Sequence, residues 1–246
     1  MIITLDIETI PTSNESVKAD FANDAQTNFK APSTLTKEQA AIDLGITDKD
    51  TIKFTSKDSM IAQWSEKFKI EAAKESSDQQ WRKTSFDGAY GHICVIGYAF
   101  DDQPALQFSS DKNEVGILEC FFDDLDAYCS RNPNVRPVFV GHNLIDFDLR
   151  FIYQRAIVLG IKPSRNIPFH AKEWDDHVFD TMHRWDAKNR TSLDKLSRAL
   201  GLKGKGDIDG SMVADYVAAG RIAEVAAYCI DDVELTRAVY KRMTFQ

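Results

Sequence analysis

The chain opens with Met1-Ile-Ile-Thr-Leu-Asp6-Ile-Glu8, and the prediction of the fold starts from this stretch. Side chains of a strand alternate between two faces, so the isoleucine and leucine side chains share one face while Asp6 and Glu8 lie side by side on the other. Like charges this close repel, and a folded protein keeps such a pair mainly where a positive charge offsets it. A divalent cation is the natural candidate. The alternative is an edge strand whose acids are simply solvated.

The bulk composition predicts a folded protein rather than a disordered or membrane-spanning one. With 246 residues and 43% hydrophobic composition, the chain can bury a substantial core. No apolar run is long enough to span a bilayer, and the apolar start is too short and too soon acidic for a signal peptide. We therefore expect a soluble cytoplasmic protein that does not engage membranes.

Charge and cysteine usage exclude further classes. The net charge of -8 argues against a protein that coats nucleic acid nonspecifically, but it does not exclude a nuclease, because acidic metal ligands lower the total. The cysteines show no C-x-x-C spacing, which indicates neither a zinc site nor a disulfide framework. They are Cys94, Cys120, Cys129 and Cys229.

Residues 11–80 are rich in polar side chains and show no strand alternation, so we interpret them as an insertion of uncertain role. Within them, Thr36-Lys-Glu-Gln39 resembles a capping box and predicts a short helix through Leu44. A second group of apolar residues recurs at helical spacing, for which core packing is the default interpretation. This group is Met60, Ile61, Trp64, Phe68 and Ala72. We expect one domain over residues 1–246 that carries this insertion.

The remainder of the chain alternates strands and helices. This order indicates α/β architecture, with a mixed sheet if the first three strands form a meander. The predicted strands are 92–100, 105–109, 137–140 and 178–179, the predicted helices are 116–129 and 147–159, and helices close the chain.

A second pair of acids, Asp146 and Asp148, lies where a predicted strand gives way to a helix. Acids at a helix start accept backbone N–H bonds, so either residue can be purely structural. We interpret Asp146 as the N-cap. Asp148, one turn into the helix, is then expected over the carboxyl edge of the sheet, where α/β proteins place their sites.

A third acidic segment lies near the end of the chain, where Tyr228 and Asp232 share one helix face. That face is otherwise apolar, and an acid in an apolar stripe is costly unless it is paired or bound to a metal. Asp231 falls at the margin of the stripe, where water can solvate it. A second apolar patch leaves open that the helix is buried on two sides.

These three segments, Asp6-x-Glu8, Asn143-x-x-x-Phe147-Asp148 and Tyr228-x-x-x-Asp232, resemble in order and position the motifs of DEDD exonucleases. The tyrosine is typical of the DEDDy branch. The chain is similar to stand-alone proteins related to the 3′–5′ proofreading exonuclease domain of family-B DNA polymerases. The resemblance covers the first strand and residues from 92 onward. Later segments that also resemble this family are Ser192-Leu-Asp-Lys-Leu196, Gly204-Lys-Gly206 and Asp209-Gly-Ser211.

The resemblance implies an RNase H-like fold, with a five-stranded mixed sheet flanked by helices. It also implies catalytic roles for five residues. Four of them would bind metal, namely Asp6, Glu8, Asp148 and Asp232, and Tyr228 would lie beside the attacking water. Asp146 is the chief competitor for a motif position. Carboxylate oxygens suit two divalent ions, Mg²⁺ or Mn²⁺. An ordinary phenol titrates near ~10, so orienting water is the expected role of Tyr228.

Substrate binding is expected from a smaller set of residues, namely His142, Asn143, Phe147, Lys203 and Lys205. The lysines belong to a basic run, residues 188–206, whose alternative is a solvated face. The Gly204-Lys-Gly206 loop is more suggestive, because glycine lets a backbone approach phosphate closely. For His142 and Asn143 the alternative is buried structural hydrogen bonding.

The leading expectation is a metal-dependent 3′–5′ exonuclease that acts on the 3′ ends of single-stranded DNA and releases nucleoside 5′-monophosphates. An RNA-processing exonuclease is the nearest alternative, because the same metal site would cut either polymer. A noncatalytic nucleic-acid-binding replication adaptor is a third. The insertion is the expected place for contacts with replication or repair proteins.

Overall fold

A computed structural model describes every residue, Met1–Gln246, and the chain divides into two units. The first unit comprises Met1–Pro11 and Thr84–Gln246, and the second comprises Thr12–Lys83. The second unit covers nearly the same residues as the predicted insertion.

The first unit contains five strands, six α-helices and one 3₁₀ turn, and the second contains four α-helices. In chain order the elements are β1 (Ile2–Ile10), α1 (Glu15–Thr27), α2 (Lys37–Leu44), α3 (Lys49–Phe54), α4 (Lys57–Lys83), the 3₁₀ turn Thr84–Phe86, β2 (His92–Phe100), β3 (Leu106–Ser109), α5 (Glu114–Ser130), β4 (Val138–Gly141), α6 (Asp148–Leu159), β5 (Val178–Asp180), α7 (Thr181–Trp185), α8 (Leu193–Ala199), α9 (Val213–Ala218) and α10 (Ile222–Met243). None of these helices is both long and apolar enough for a membrane span.

The strands form one sheet in the order β3-β2-β1-β4-β5. The first three strands along the chain pair antiparallel, whereas β1 with β4 and β4 with β5 pair parallel. The predicted mixed sheet and its initial meander are therefore confirmed. β1 lies in the centre of the sheet, so the alternative of a solvated edge strand is wrong.

The two faces of β1 are covered by different helices. Ile3, Leu5 and Ile7 are buried in a core cluster to which α5 and α6 contribute. The opposite face of the sheet lies against α10, where Cys94 and Val95 of β2 join a second apolar cluster with residues of α10. The predicted alternation of β1 is confirmed, and its acids share the face that α10 covers.

A buried ion pair links α5, α6 and β2. Arg155 is 2% exposed, and its guanidinium donates to both carboxylate oxygens of Glu114 at 2.8 and 2.7 Å. Glu114 also accepts from the backbone N–H of Ile93 at 2.8 Å. Hydrogen bonds from His92 and Arg155 hold the pKa of Glu114 below its usual value despite burial. This network ties two helices to the sheet.

The second unit is helical, as its polar composition and apolar spacing predicted. Thr36 caps α2 by accepting from the backbone N–H of Gln39 at 3.1 Å, which confirms the predicted cap and the helix through Leu44. The side chain of Gln39 donates to Asp43 at 2.8 Å, so the reciprocal bond of a capping box is not formed. Trp64 is buried in the unit's core, and its indole N–H donates to Asp43 at 2.8 Å. Core packing is thus confirmed for the aromatic stripe, although α4 extends far beyond the predicted helical residues.

Candidate active site

The central strand places Asp6 and Glu8 under α10. Asp6 pairs in register with Gly97 of β2, and a Cβ added at Gly97 would lie 2.8 Å from the Sγ of Cys229. Glycine at this position therefore lets α10 approach the sheet closely. The close approach brings the residues of α10 against the acids of β1.

α10 presents Tyr228 and Asp232 to this face. Both side chains are buried, whereas Asp231 is exposed. The predicted shared face and the solvation of Asp231 are confirmed. The second apolar patch also lies against the protein, because Val233 is fully buried, so the alternative of a helix buried on two sides is correct.

The third contribution comes from Asp148, the first residue of α6. It is 2% exposed, and its Oδ1 accepts from the backbone N–H of Ile7 at 3.0 Å. Ile7 lies between Asp6 and Glu8 in β1, so this bond places Asp148 at the same position along the strand. Asp148 is the first residue of the helix, so the prediction that it lies one turn into the helix is wrong.

Asp146 has a different environment, and the prediction that it caps α6 is wrong. Phe147 occupies the N-cap position without a side-chain hydrogen bond. The Oδ2 of Asp146 accepts from Arg190 at 2.8 Å and lies 3.3 Å from Nε2 of His183. The guanidinium of Arg190, and not the free N–H groups of α6, therefore binds this carboxylate. Asp146 thus has two partners within the protein, the guanidinium of Arg190 and the imidazole of His183.

Lys205 is the one cation in contact with the acidic motif residues. Its Nζ forms an ion pair with Asp232 and donates to Oη of Tyr228 at 2.7 Å. The backbone N–H of Lys205 donates to Asp194 at 2.9 Å, and a Cβ at Gly204 would lie 2.6 Å from that same carboxylate. The glycine loop thus positions a lysine against an acid, a contact that the sequence analysis missed.

The acids raise one another's pKa. Burial and the charge of Asp232 raise the pKa of Asp6 to about 7, while Lys205 opposes the shift. Burial and the charge of Asp6 raise the pKa of Glu8 well above its usual value, and they do the same for Asp148. Burial also raises the pKa of Asp232, against the pairing with Lys205. If all four carboxyl groups were ionised, their negative charge would exceed what one lysine offsets.

Glu8 is the acid with the least compensation. Its side chain is 7% exposed, and neither a hydrogen bond nor an ion pair reaches its carboxylate. A buried carboxylate without a partner costs free energy unless it is neutralised or bound by a cation. This donor set therefore fits hard divalent cations, which prefer carboxylate oxygens.

A thiol lies next to the carboxylates. The Sγ of Cys229 is 3.5 Å from both the carbonyl oxygen and Oδ2 of Asp6, and the ligand atoms of Asp6, Glu8 and Cys229 all lie within 4.8 Å of one another. The sequence analysis missed this neighbour. The only available signal was its position directly after Tyr228, which could not show that the thiol points toward β1.

Tyr228 is a poor candidate for a base. Burial, followed by the charges of Asp232 and Glu8, raises the pKa of its phenol well above the usual value. The Nζ of Lys205 also lies 4.8 Å from the centre of its ring. The proton therefore stays on Oη at neutral pH, so the hydroxyl can donate a hydrogen bond.

The predicted substrate-binding residues occupy varied environments. Both ring nitrogens of His142 are engaged, Nδ1 with Thr181 and Nε2 with the carbonyl oxygen of Thr191, each at 2.9 Å. This arrangement favours the structural alternative for His142. Asn143 has a positive φ of 65°, and its Oδ1 is buried without a partner, so one acceptor remains available.

Of the remaining residues predicted to bind substrate, some already contact other residues of the protein. Phe147 is half-buried against Phe151, with ring centres 5.6 Å apart. Lys203 is exposed. Three cations of the predicted basic run pair with carboxylates, namely Arg190 with Asp146, Arg198 with Asp194 and Lys205 with Asp232. Substrate binding by His142, Asn143, Phe147, Lys203 and Lys205 stays a prediction.

Comparisons with known proteins identify the family and the fold. A family model described as "Predicted 3'-5' exonuclease related to the exonuclease domain of PolB" matches residues 105–246, more than half of the chain. The structure of the family B DNA polymerase from the hyperthermophilic archaeon Pyrobaculum calidifontis is similar, with a TM-score of 0.55 at 13% sequence identity. The match covers 99% of this chain and 24% of the polymerase, and it shows the RNase H-like fold. No curated protein was found to match.

Proposed function

The chain belongs to the family of predicted 3′–5′ exonucleases related to the exonuclease domain of PolB, and from that premise we propose that it hydrolyses phosphodiester bonds at the 3′ ends of single-stranded DNA. The observation that carries this proposal is the buried, unpaired carboxylate of Glu8 beside Asp6. An acid pair in this state is costly in the absence of a cation. The products of the proposed reaction are nucleoside 5′-monophosphates.

The proposed metal ligands are Asp6, Glu8, Asp148 and Asp232. They come from three separate elements, β1, α6 and α10, and each has a raised pKa because of burial and neighbouring acids. Two bound Mg²⁺ or Mn²⁺ ions would supply a hydroxide-like nucleophile and stabilise the leaving 3′ oxygen. Asp146 is left out of this set because Arg190 and His183 already contact it.

Tyr228 and Lys205 are proposed to act on water and phosphate. The Oη of Tyr228 keeps its proton, so it orients the attacking water by donating a hydrogen bond. The ammonium of Lys205 neutralises Asp232 in the cation-free protein. Once displaced from Asp232, this ammonium has the phosphodiester oxygens of a substrate as its next anionic partner, which agrees with its predicted role in substrate binding.

A time course on 5′-labelled single-stranded DNA and RNA with Mg²⁺, Mn²⁺ or EDTA tests the proposal. We expect a metal-dependent ladder that shortens from the 3′ end of DNA, and its loss in Asp6→Ala and Asp232→Ala. Asp231→Ala is the matched control, because Asp231 is the exposed neighbour of Asp232 on the same helix. Asp146→Ala tests the competing acid, and we expect it to retain cleavage.

Each other outcome has a defined meaning. Faster shortening of RNA than of DNA would identify RNA as the preferred substrate. Loss of cleavage in Asp146→Ala but not in Asp232→Ala would contradict the proposed ligand set. No cleavage of either polymer with any metal, combined with undiminished nucleic-acid binding by the alanine variants, would refute the exonuclease and favour an adaptor.

A further inference from the structure

Trp185 is a half-exposed tryptophan at the end of α7, with 48% of its side chain accessible to solvent. Its indole N–H makes no hydrogen bond, and no other aromatic ring stacks on it. α7 directly follows β5, and the parallel strands β1, β4 and β5 end at the same edge of the sheet. Trp185 therefore lies beyond the edge that carries the acidic residues.

Contacts on both sides of Trp185 tie its segment to the residues that precede Asp148. Asp180, which caps α7, also accepts from the backbone N–H of Asn143 at 3.0 Å. His183 and Arg190, which flank Trp185 in the chain, both contact Asp146. The segment that carries Trp185 is thus held next to the strand-to-helix connection of the candidate active site.

The charge around Trp185 suits a polyanion. Arg184, Lys188 and Arg190 lie near it in the chain and are exposed, and Arg190 is paired with Asp146. The acid within this stretch, Asp186, is engaged by the backbone N–H groups of Lys188 and Asn189 at 2.9 and 3.0 Å. An exposed aromatic ring among cations is the arrangement that binds single-stranded nucleic acid, with bases on the ring and phosphates on the cations.

The chain contains a contrasting tryptophan. Trp174 is 70% exposed and lies in the connection before β5, where Glu173 contacts His183. Its immediate neighbours are the acids Glu173, Asp175 and Asp176, which repel phosphate. Exposure is therefore greater at Trp174, but the surrounding charge favours a nucleic acid strand only at Trp185.

We propose that Trp185 forms a base-stacking site for a nucleotide upstream of the scissile bond, with Arg184 and Lys188 as phosphate contacts. The inference rests on the proposed exonuclease function and adds a binding site outside the acidic centre. Stacking on one face of the ring accepts any base, so the site increases the affinity for a single strand without sequence preference. We expect a dinucleotide to occupy the acidic centre alone.

The test compares Trp185→Ala, Trp185→Phe and the matched control Trp174→Ala. Anisotropy of 5′-fluorescein-labelled dT12 in EDTA measures binding without cleavage, and initial rates with Mn²⁺ give KM and kcat on dT12 and on a thymidine dinucleotide. We expect Trp185→Ala to raise the Kd and KM for dT12 roughly 5- to 100-fold, the loss typical of one stacked base. We expect an unchanged kcat, an unchanged KM on the dinucleotide, substantial rescue by Trp185→Phe, and no effect of Trp174→Ala.

The outcomes separate the two proposals. Cleavage of dT12 by wild type with the same KM in Trp185→Ala overturns the stacking site and leaves the exonuclease intact. Equal losses in Trp174→Ala and Trp185→Ala, or an equal loss on the dinucleotide, also overturn the site. Wild type that neither binds nor cleaves single strands overturns the exonuclease and the stacking site together.

Discussion

Replacing Asp6 by asparagine is expected to stabilise the metal-free protein at alkaline pH. The pKa of Asp6 is about 7 in the folded state and near 3.8 in its ordinary state, because burial and Asp232 disfavour its charge. Between these values the folded protein holds a proton that the unfolded chain has lost. The free energy of unfolding therefore falls as pH rises through this window.

The size of the effect follows from the two pKa values. A pKa difference of about three units lowers the free energy of unfolding by about 4 kcal/mol over the whole titration. Of this loss, roughly 2–3 kcal/mol falls between pH 5 and pH 8. The charge of Asp6 also raises the pKa of Glu8 and of Asp148, so its removal lowers their cost as well. Asparagine keeps the shape of the side chain and removes the charge.

Urea unfolding in EDTA at pH 5 and pH 8 measures this difference for wild type, Asp6→Asn and the exposed control Asp231→Asn. We expect the pH-dependent loss of stability to shrink by about 2–3 kcal/mol in Asp6→Asn only. Mn²⁺ at about 100 times its Kd should then stabilise wild type by about 2.7 kcal/mol at pH 8, and the variant by much less.

Two results would refute the role of the Asp6 carboxylate, and a third would refute the local origin of the effect. One is an Asp6→Asn variant that unfolds at lower urea than wild type at pH 8 in EDTA, since that would mean the carboxylate already has a stabilising partner. The other is equal stabilisation of wild type and variant by Mn²⁺, which would place the cation elsewhere. Identical behaviour of Asp231→Asn and Asp6→Asn would show that the effect reflects only total charge.

Three further changes test the packing and the chemistry. Glu114→Gln should lower the free energy of unfolding in urea by about 3–5 kcal/mol, because the buried guanidinium of Arg155 loses its anionic partner. The double variant Glu114→Gln with Arg155→Met should be destabilised less than Glu114→Gln alone. Gly97→Ala should lower the free energy of unfolding by about 1–3 kcal/mol in thermal or urea unfolding and should lower the cleavage rate, because the added Cβ would lie 2.8 Å from the Sγ of Cys229. Adding Cys229→Ala to this variant should restore much of the stability and much of the cleavage rate. Tyr228→Phe should lower kcat roughly 100-fold in single-turnover assays and should leave the alkaline limb of the pH–rate profile unchanged, because the phenol keeps its proton. If the variant instead loses a limb at about pH 10, the phenol acts as a base.

The sequence by itself determined the first strand, with its two faces, and the order of the motifs. The alternation in β1 and the four-residue spacing of Tyr228 and Asp232 are local patterns, and each fixes which side chains share a face. The N-cap bond from Gln39 to Thr36 likewise lies within four residues. Such features depend on neighbours in the chain, so no tertiary contact is needed to predict them.

Predictions failed where a local pattern competed with a distant partner. Asp146 has the spacing of an N-cap, yet Arg190, 44 residues later, binds its carboxylate. The prediction that Asp148 lies one turn into α6 failed with it, because Phe147 takes the N-cap position. For His142, Thr181 and Thr191 contact both ring nitrogens, which favours the structural alternative, while its role in substrate binding stays a prediction. The chain order does not reveal such distant partners.

Only the tertiary structure decided how the acids are balanced. Lys205 reaches Tyr228 across 23 positions and also pairs with Asp232, while Cys229 reaches Asp6 across 223 positions. The sequence shows which residues can hold charge, because charge is a property of each side chain. Burial, pairing and the raised pKa of Asp6 depend on what the fold packs around them, so the unpaired state of Glu8 became visible only once α10 lay on the sheet.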